Sequence, residues 1–207
     1  MKLTWIAHDG FLLSNGKAVY IDPFRIPGTM PKADIICLTH SHFDHTSKED
    51  IAKIQAEKTQ FVTTADSEIT KNIHVLNPGE SVELDGITIE AVPAYNIDKA
   101  FHPKSNKWNG YIITIGKKRI YHAGDTDLIP EMGKISCDVA LLPVSGTYVM
   151  TAKQAVDAAL KIKPKLVIPM HFSSIVGSEA DADAFKELAE KKGLNVKILK
   201  PGESIDI

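Results

Sequence analysis

Apolar and polar residues alternate in short runs over the first thirty positions, the period of half-buried β-strands. Residues 3–7, 11–14 and 18–21 carry this pattern, and the Asp9-Gly10 and Asn15-Gly16 pairs between them predict tight hairpin turns. Asp22-Pro23 ends the third strand, because proline cannot donate to a ladder. After a Pro/Gly-rich loop, the apolar run at 34–38 predicts a buried strand. Residues 48–57 then predict a helix with Ile51 and Ile54 on one face and Ser47 as its N-cap. Further strands are expected at 60–63, 74–76, 81–84, 88–92, 111–115 and 119–121, punctuated by Pro78-Gly79, Asp85-Gly86 and Gly116-Lys117. The last third alternates buried strands (139–142, 166–169) with helices (152–161, 183–192), and 196–199 is expected to pair with 204–207.

Between 94 and 109 the periodicity lapses, and a long loop that carries Tyr95, Asn96, His102 and Trp108 is expected to serve function. There is also an internal echo. Lys17-Ala-Val-Tyr20 followed by 34–38 matches Lys118-Arg-Ile-Tyr121 followed by 138–142, so two similar half-domains are expected, with sheets face to face and helices outside.

Composition narrows the function. Hydrophobic residues at 43% and charged residues at 24% of 207 positions are ordinary for a globular chain. The net charge of −2 and only two arginines, Arg25 and Arg119, make no electrostatic case for nucleic acid or an anionic membrane. No apolar run is long enough to span a bilayer and no basic-then-apolar leader opens the chain, so the expected location is cytoplasmic. Cys37 and Cys137 read as small buried hydrophobes beside strands, not as a disulfide or a metal pair.

The densest chemistry is at 39–46, Thr-His-Ser-His-Phe-Asp-His-Thr, just past a buried strand. A solvated turn would favour Gly, Asn, Asp and Pro over a histidine triple, whereas imidazole and carboxylate are the usual ligands of zinc, iron and manganese. Two other strand ends present ligand types, Asp125 after Tyr121-His-Ala-Gly and His171 after Val167-Ile-Pro-Met. His122 is expected to pack beside the metal motif, and His74 to be structural or exposed. Ser145-Gly146-Thr147 lacks the strand-turn-helix context of a nucleophile elbow, although it could touch substrate.

Thr39-His-Ser-His-Phe-Asp-His45, His122-Ala-Gly-Asp125-Thr and Pro169-Met-His171, in that order, resemble the metallo-β-lactamase superfamily. With His8 and the Ile21-Asp-Pro-Phe24 stretch, the chain is similar to its branch of ascorbate-6-phosphate lactonase-like hydrolases. The resemblance implies one α/β (α+β) domain over 1–207, a four-layer αβ/βα sandwich. It implies His40 and His42 at a first metal, Asp44 and His45 at a second, Asp125 bridging, and His171 completing the second site. Asp22 matches a position that supports the ligands from behind. Asn96 stands where the family's third histidine of the first site is expected, and Asn96 itself, His102 or a water are the candidates to fill that place. The implied cofactors are two divalent ions, zinc first, with iron or manganese as alternatives. The implied chemistry is attack by a metal-bound hydroxide on an ester, lactone or phosphodiester, with Asp44 as proton carrier and His8 as acid or oxyanion stabiliser. The expected partner is a small-molecule substrate, with neither nucleic acid nor membrane, and a homo-oligomer is the candidate assembly. The rival readings are a tRNA-processing-like nuclease, disfavoured by the charge balance, and a non-catalytic metal-binding protein with one degenerate site, which Asn96 would favour.

Overall fold

The alternation resolves into thirteen strands and three α-helices in the computed structural model, which describes every residue from Met1 to Ile207. In chain order these are β1 (Lys2–Ala7), β2 (Gly10–Ser14), β3 (Ala18–Ile21), β4 (Ile35–Cys37), α1 (Lys48–Ile54), β5 (Gln60–Thr63) and β6 (Ile73–Val75). Then follow β7 (Ser81–Leu84), β8 (Ile87–Pro93), β9 (Asn109–Ile115), β10 (Lys118–His122), β11 (Val139–Pro143), α2 (Ala152–Ile162), β12 (Leu166–Met170), α3 (Glu179–Glu190) and β13 (Ser204–Asp206). They belong to two compact units, Met1–Asn77 with Leu199–Ile207, and Pro78–Ile198.

The first unit holds one mixed sheet, ordered β13-β1-β2-β3-β4-β5-β6. Its hairpins β1/β2 and β2/β3 are antiparallel, while β3, β4, β5 and β6 run parallel. Helix α1 is the crossover between parallel β4 and β5, with Ser47 capping it as expected by accepting from Asp50 N–H. Ile51 and Ile54 of α1 join Tyr20, Ile36, Leu38 and Phe61 in one core cluster. Each fully buried side chain of this kind contributes about 1.5–3 kcal/mol, which is what holds a three-residue strand such as β4 in place.

The second unit repeats the plan with the sheet β12-β11-β10-β9-β8-β7. Strands β7 to β10 are antiparallel, β10 to β12 parallel, and α2 is the crossover between β11 and β12. The internal echo is therefore structural. In the first unit the Asp34 carboxylate accepts from Ala18 N–H at 2.8 Å, and in the second the Asp138 carboxylate accepts from Arg119 N–H at 2.9 Å. Each aspartate ties the start of a hairpin strand to the start of the parallel strand beside it.

Three expectations are corrected. Residues 196–199 do not pair with 204–207. Instead β13 adds antiparallel to β1 in the register Thr4↔Ser204, and Val196 makes a single parallel bridge to Val167. The outer edge of β1 would otherwise present a row of unpaired backbone groups, which β13 covers. Helix α3 starts at Glu179 rather than 183, because Ser178 and Asp181 form a capping box that nucleates it earlier. Cys37 is fully buried, but Cys137, expected to be buried as well, is only half-buried, since it lies in the loop before β11.

Parallel strands share a direction, so their C-terminal ends gather on one edge of each sheet, the usual place for ligands in open α/β sheets. In the first unit Asp22 and Thr39–His45 follow the ends of β3 and β4. In the second, Asp125, Ser145 and His171 follow the ends of β10, β11 and β12.

Candidate metal centre

In the first unit the histidine loop hangs on one buried carboxylate. Asp22 follows β3 in the left-handed region (φ 42°), and the register Ile21↔Cys37 brings it beside Thr39. Its Oδ1 accepts from Thr39 N–H at 2.8 Å, and its Oδ2 accepts from the Thr39 hydroxyl at 2.6 Å and from His45 Nδ1 at 2.7 Å. A carboxylate can only accept, so His45 carries its hydrogen on Nδ1 and Nε2 becomes its ligating nitrogen. The Thr39 hydroxyl has one hydrogen, given to Asp22, so towards His40 Nδ1, 3.0 Å away, it accepts. His40 is thereby set in the same tautomer, and its Nε2 faces His42 Nδ1 at 3.0 Å.

His8 and Asp44 meet in the same unit, with His8 Nε2 3.1 Å from Asp44 Oδ2. His8 is fully buried and its backbone is left-handed at φ 54°. For a residue other than glycine that conformation is strained and persists only where the surroundings impose it. Trp5 Nε1–H, donating to His8 carbonyl oxygen at 2.9 Å, is part of what imposes it. Asp9, read from sequence as a hairpin turn residue, is also fully buried, 3.9 Å from His45 Nδ1.

In the second unit Asp125 Oδ2 lies 3.1 Å from His102 Nε2 and 3.3 Å from His171 Nε2, so one carboxylate oxygen is shared by two imidazoles. The other nitrogen of each ring is held. Ser145 Oγ lies 2.9 Å from His171 Nδ1. Asn96 Oδ1 accepts from the backbone N–H and Nδ1 of His102, both at 3.0 Å, while Asn96 Nδ2 donates to Tyr148 carbonyl oxygen at 2.9 Å. Those backbone partners fix which end of the amide is oxygen, and with it the His102 tautomer. His171, like His8, is left-handed (φ 61°). Gly124 (φ 62°) turns the chain into Asp125, and a Cβ on Gly110 would lie 2.7 Å from Ala123 carbonyl oxygen, so β9 approaches the strand end only as glycine.

The loop at 94–109 is a folded structure. Asn96 N–H donates to His102 carbonyl oxygen at 2.8 Å, and Trp108 stands edge-on to the His102 ring with centroids 5.6 Å apart. Asp127 accepts from Ile97 N–H at 2.8 Å and from Lys99. His122 is fully buried and accepts from Gly124 N–H at 3.2 Å, as expected of a packed neighbour, and His74 bonds Gln60 away from both sites.

The first unit thus brings together His8, His40, His42, Asp44 and His45, and the second Asn96, His102, Asp125 and His171. Ser145, Thr39, Asp9 and Asp127 were not foreseen in their supporting roles. The signal for Ser145 was its place just past β11, the strand beside β12. The donor set fits divalent zinc, iron or manganese: imidazoles and carboxylates, with a second group holding the rear nitrogen of His40, His45, His102 and His171.

Comparison with known proteins agrees with this chemistry. Residues 2–171 match the family model described as a beta-lactamase superfamily domain. A UPF0173 metal-dependent hydrolase of Methanosphaerula palustris is 35% identical over 218 residues, covering 100% of both chains. Another, of Pyrococcus abyssi, is 32% identical with the same coverage. Among solved structures, the metallo hydrolase Igni18 of Ignicoccus hospitalis superposes with a TM-score of 0.81 at 29% identity, covering 99% of this chain and 97% of that one.

Proposed function

The chain belongs to the metallo-β-lactamase superfamily and is a metal-dependent hydrolase, and from that premise we propose that it cleaves an ester, lactone or phosphodiester bond of a small molecule with two divalent ions, zinc, iron or manganese. The observation that carries the reading is the control of imidazole tautomers by Asp22, Thr39, Asn96 and Ser145, which a merely structural histidine does not need. As proposed ligands the first unit offers His40, His42, Asp44 and His45, and the second His102, His171 and Asp125, whose Oδ2 serves two imidazoles.

When bound, such ions lower the pKa of a coordinated water and polarise the scissile carbonyl or phosphoryl oxygen. The protein's own part is positional. His8 Nε2 holds Asp44 Oδ2, so the pair can keep a proton at Asp44 and hand it to the departing oxygen. Asp22 keeps His45 and Thr39 in register while this happens. A small molecule is favoured over nucleic acid by the net charge of −2 and the presence of two arginines only. The non-catalytic reading rested on Asn96 as a lost ligand, and its motive weakens with His102 seated against Asn96.

The test is turnover of a panel of lactones, carboxylic esters and phosphodiesters by protein stripped with chelator and reloaded with zinc, manganese or iron(II). Hydrolysis of one bond class that chelator removes and metal restores is expected. Fully loaded protein that turns over no class would overturn the reading.

A further inference from the structure

A groove of about 870 Å³ opens in the first unit, lined in part by the loop that supplies candidate ligands. Ser41, Phe43 and Thr46, interleaved with His40, His42 and His45, form part of its wall, together with Phe24 and Arg25. Phe43 is 66% exposed, an apolar ring left in water beside the candidate centre. It stands edge-on to Phe24 with centroids 6.2 Å apart, and Phe24 stands edge-on to His8 at 6.1 Å. An aromatic row therefore runs from the His8–Asp44 pair to the open groove.

Two of the wall's three cations are paired with carboxylates. Glu68 pairs with Lys48, Glu49 and Asp50 pair with Lys53, and Asp66 accepts from the hydroxyls of Ser41 and Thr64. Arg25 alone among the wall's cations has no carboxylate. Its guanidinium lies over the Phe24 ring, 5.4 Å from the centroid, a contact that leaves the in-plane N–H fork available. Nor is its placement casual. Arg25 is left-handed at φ 52°, held there by the buried Asp50 carboxylate, which accepts from Arg25 N–H at 2.8 Å and Ile26 N–H at 2.9 Å.

We propose that this groove is a substrate subsite, in which Arg25 takes an anionic group, carboxylate or phosphate, and Phe24 and Phe43 take the apolar or aromatic body of the same molecule. The proposal rests on the hydrolase reading and adds to it a substrate class. A forked guanidinium matches a planar carboxylate or a phosphate face through paired charge-assisted hydrogen bonds, and the rings cover what an anionic head would leave in water.

The test is calorimetric binding of benzoate, phenylphosphonate and neutral benzamide to the metal-loaded full chain and to Arg25→Ala, Arg25→Lys and Phe43→Ala. Arg25 and Phe43 are exposed, so these variants keep the fold. At least tenfold weaker binding of benzoate or phenylphosphonate to Arg25→Ala is expected, with Arg25→Lys intermediate and benzamide unchanged. Phe43→Ala is expected to weaken all three. The two anions distinguish a carboxylate from a phosphate preference. Bound metal also attracts anions, so the difference between variants is the readout. Equal anion affinity in wild type and Arg25→Ala, or no measurable anion binding by wild type, overturns the subsite. Arg25-dependent binding without turnover on any bond class would leave the subsite standing and sink the hydrolase reading. Metal-dependent turnover in which the KM for a charged ester is the same in wild type and Arg25→Ala would do the reverse.

Discussion

The amide oxygen of Asn96 accepts from both the backbone N–H and the ring Nδ1 of His102, each at 3.0 Å. One side chain thus shapes the turn that brings His102 back and sets which ring nitrogen carries the lone pair. Groups that orient a ligating histidine typically account for ten- to a hundredfold in metal affinity. Asn96→Ala is accordingly expected to lower metal affinity by about tenfold or more. Competition against a chromophoric chelator measures this, and an unchanged affinity would remove His102 from the ligand set.

Asp22 is a stability element as much as a site element. Asp22→Ala strands the buried Thr39 N–H, the Thr39 hydroxyl and His45 Nδ1, and an unsatisfied buried group costs about 1–3 kcal/mol. A loss of about 3 kcal/mol or more is expected from urea unfolding, with Asp22→Asn milder because its amide oxygen still accepts from Thr39 N–H. Equal midpoints for wild type and Asp22→Ala would contradict this role.

His45→Ala and Asp125→Ala each remove a proposed ligand. Both are expected to lose bound metal and turnover together, while a surface change such as Lys186→Ala alters neither. Elemental analysis decides the matter, and wild-type metal content in both variants would rule the assignment out.

Asp50 gives the fold an acid-sensitive contribution. Burial pushes its carboxyl up, but hydrogen bonds from Lys53, Ser47 and the backbone N–H groups of Arg25 and Ile26 outweigh burial and hold it below the ordinary 3.8. A depressed carboxyl contributes stability that is fully present above its unfolded value and is lost as pH falls through its lower folded value. Asp50→Asn is therefore expected to lower stability at pH 7 and to flatten the acid side of the stability profile below about pH 5. Urea midpoints across that range test it, and parallel profiles would refute it.

Much of the fold was legible because it is local. The Asn15-Gly16 hairpin, the Ser47 cap of α1 and the apolar run that became β4 each declare themselves within a few residues. So did the echo between Asp34 and Asp138, since each aspartate sits at a fixed spacing before its strand. The error at 196–207 has the opposite cause. The partner of β13 is β1, about two hundred residues away, and proximity in sequence argued for the wrong neighbour.

The same division runs through the candidate site. Sequence alone determined the kind and order of the donors, because side-chain chemistry travels with the residue: three histidines and an aspartate after β4, Asp125 after β10, His171 after β12. Only the tertiary structure decided which groups hold them. It placed His102 with Asn96 and Asp125, Ser145 behind His171, and Asp22 behind both Thr39 and His45. A hydrogen bond depends on ångström distances and on which ring nitrogen carries its proton, and those are set by strand register and loop path, not by spacing along the chain.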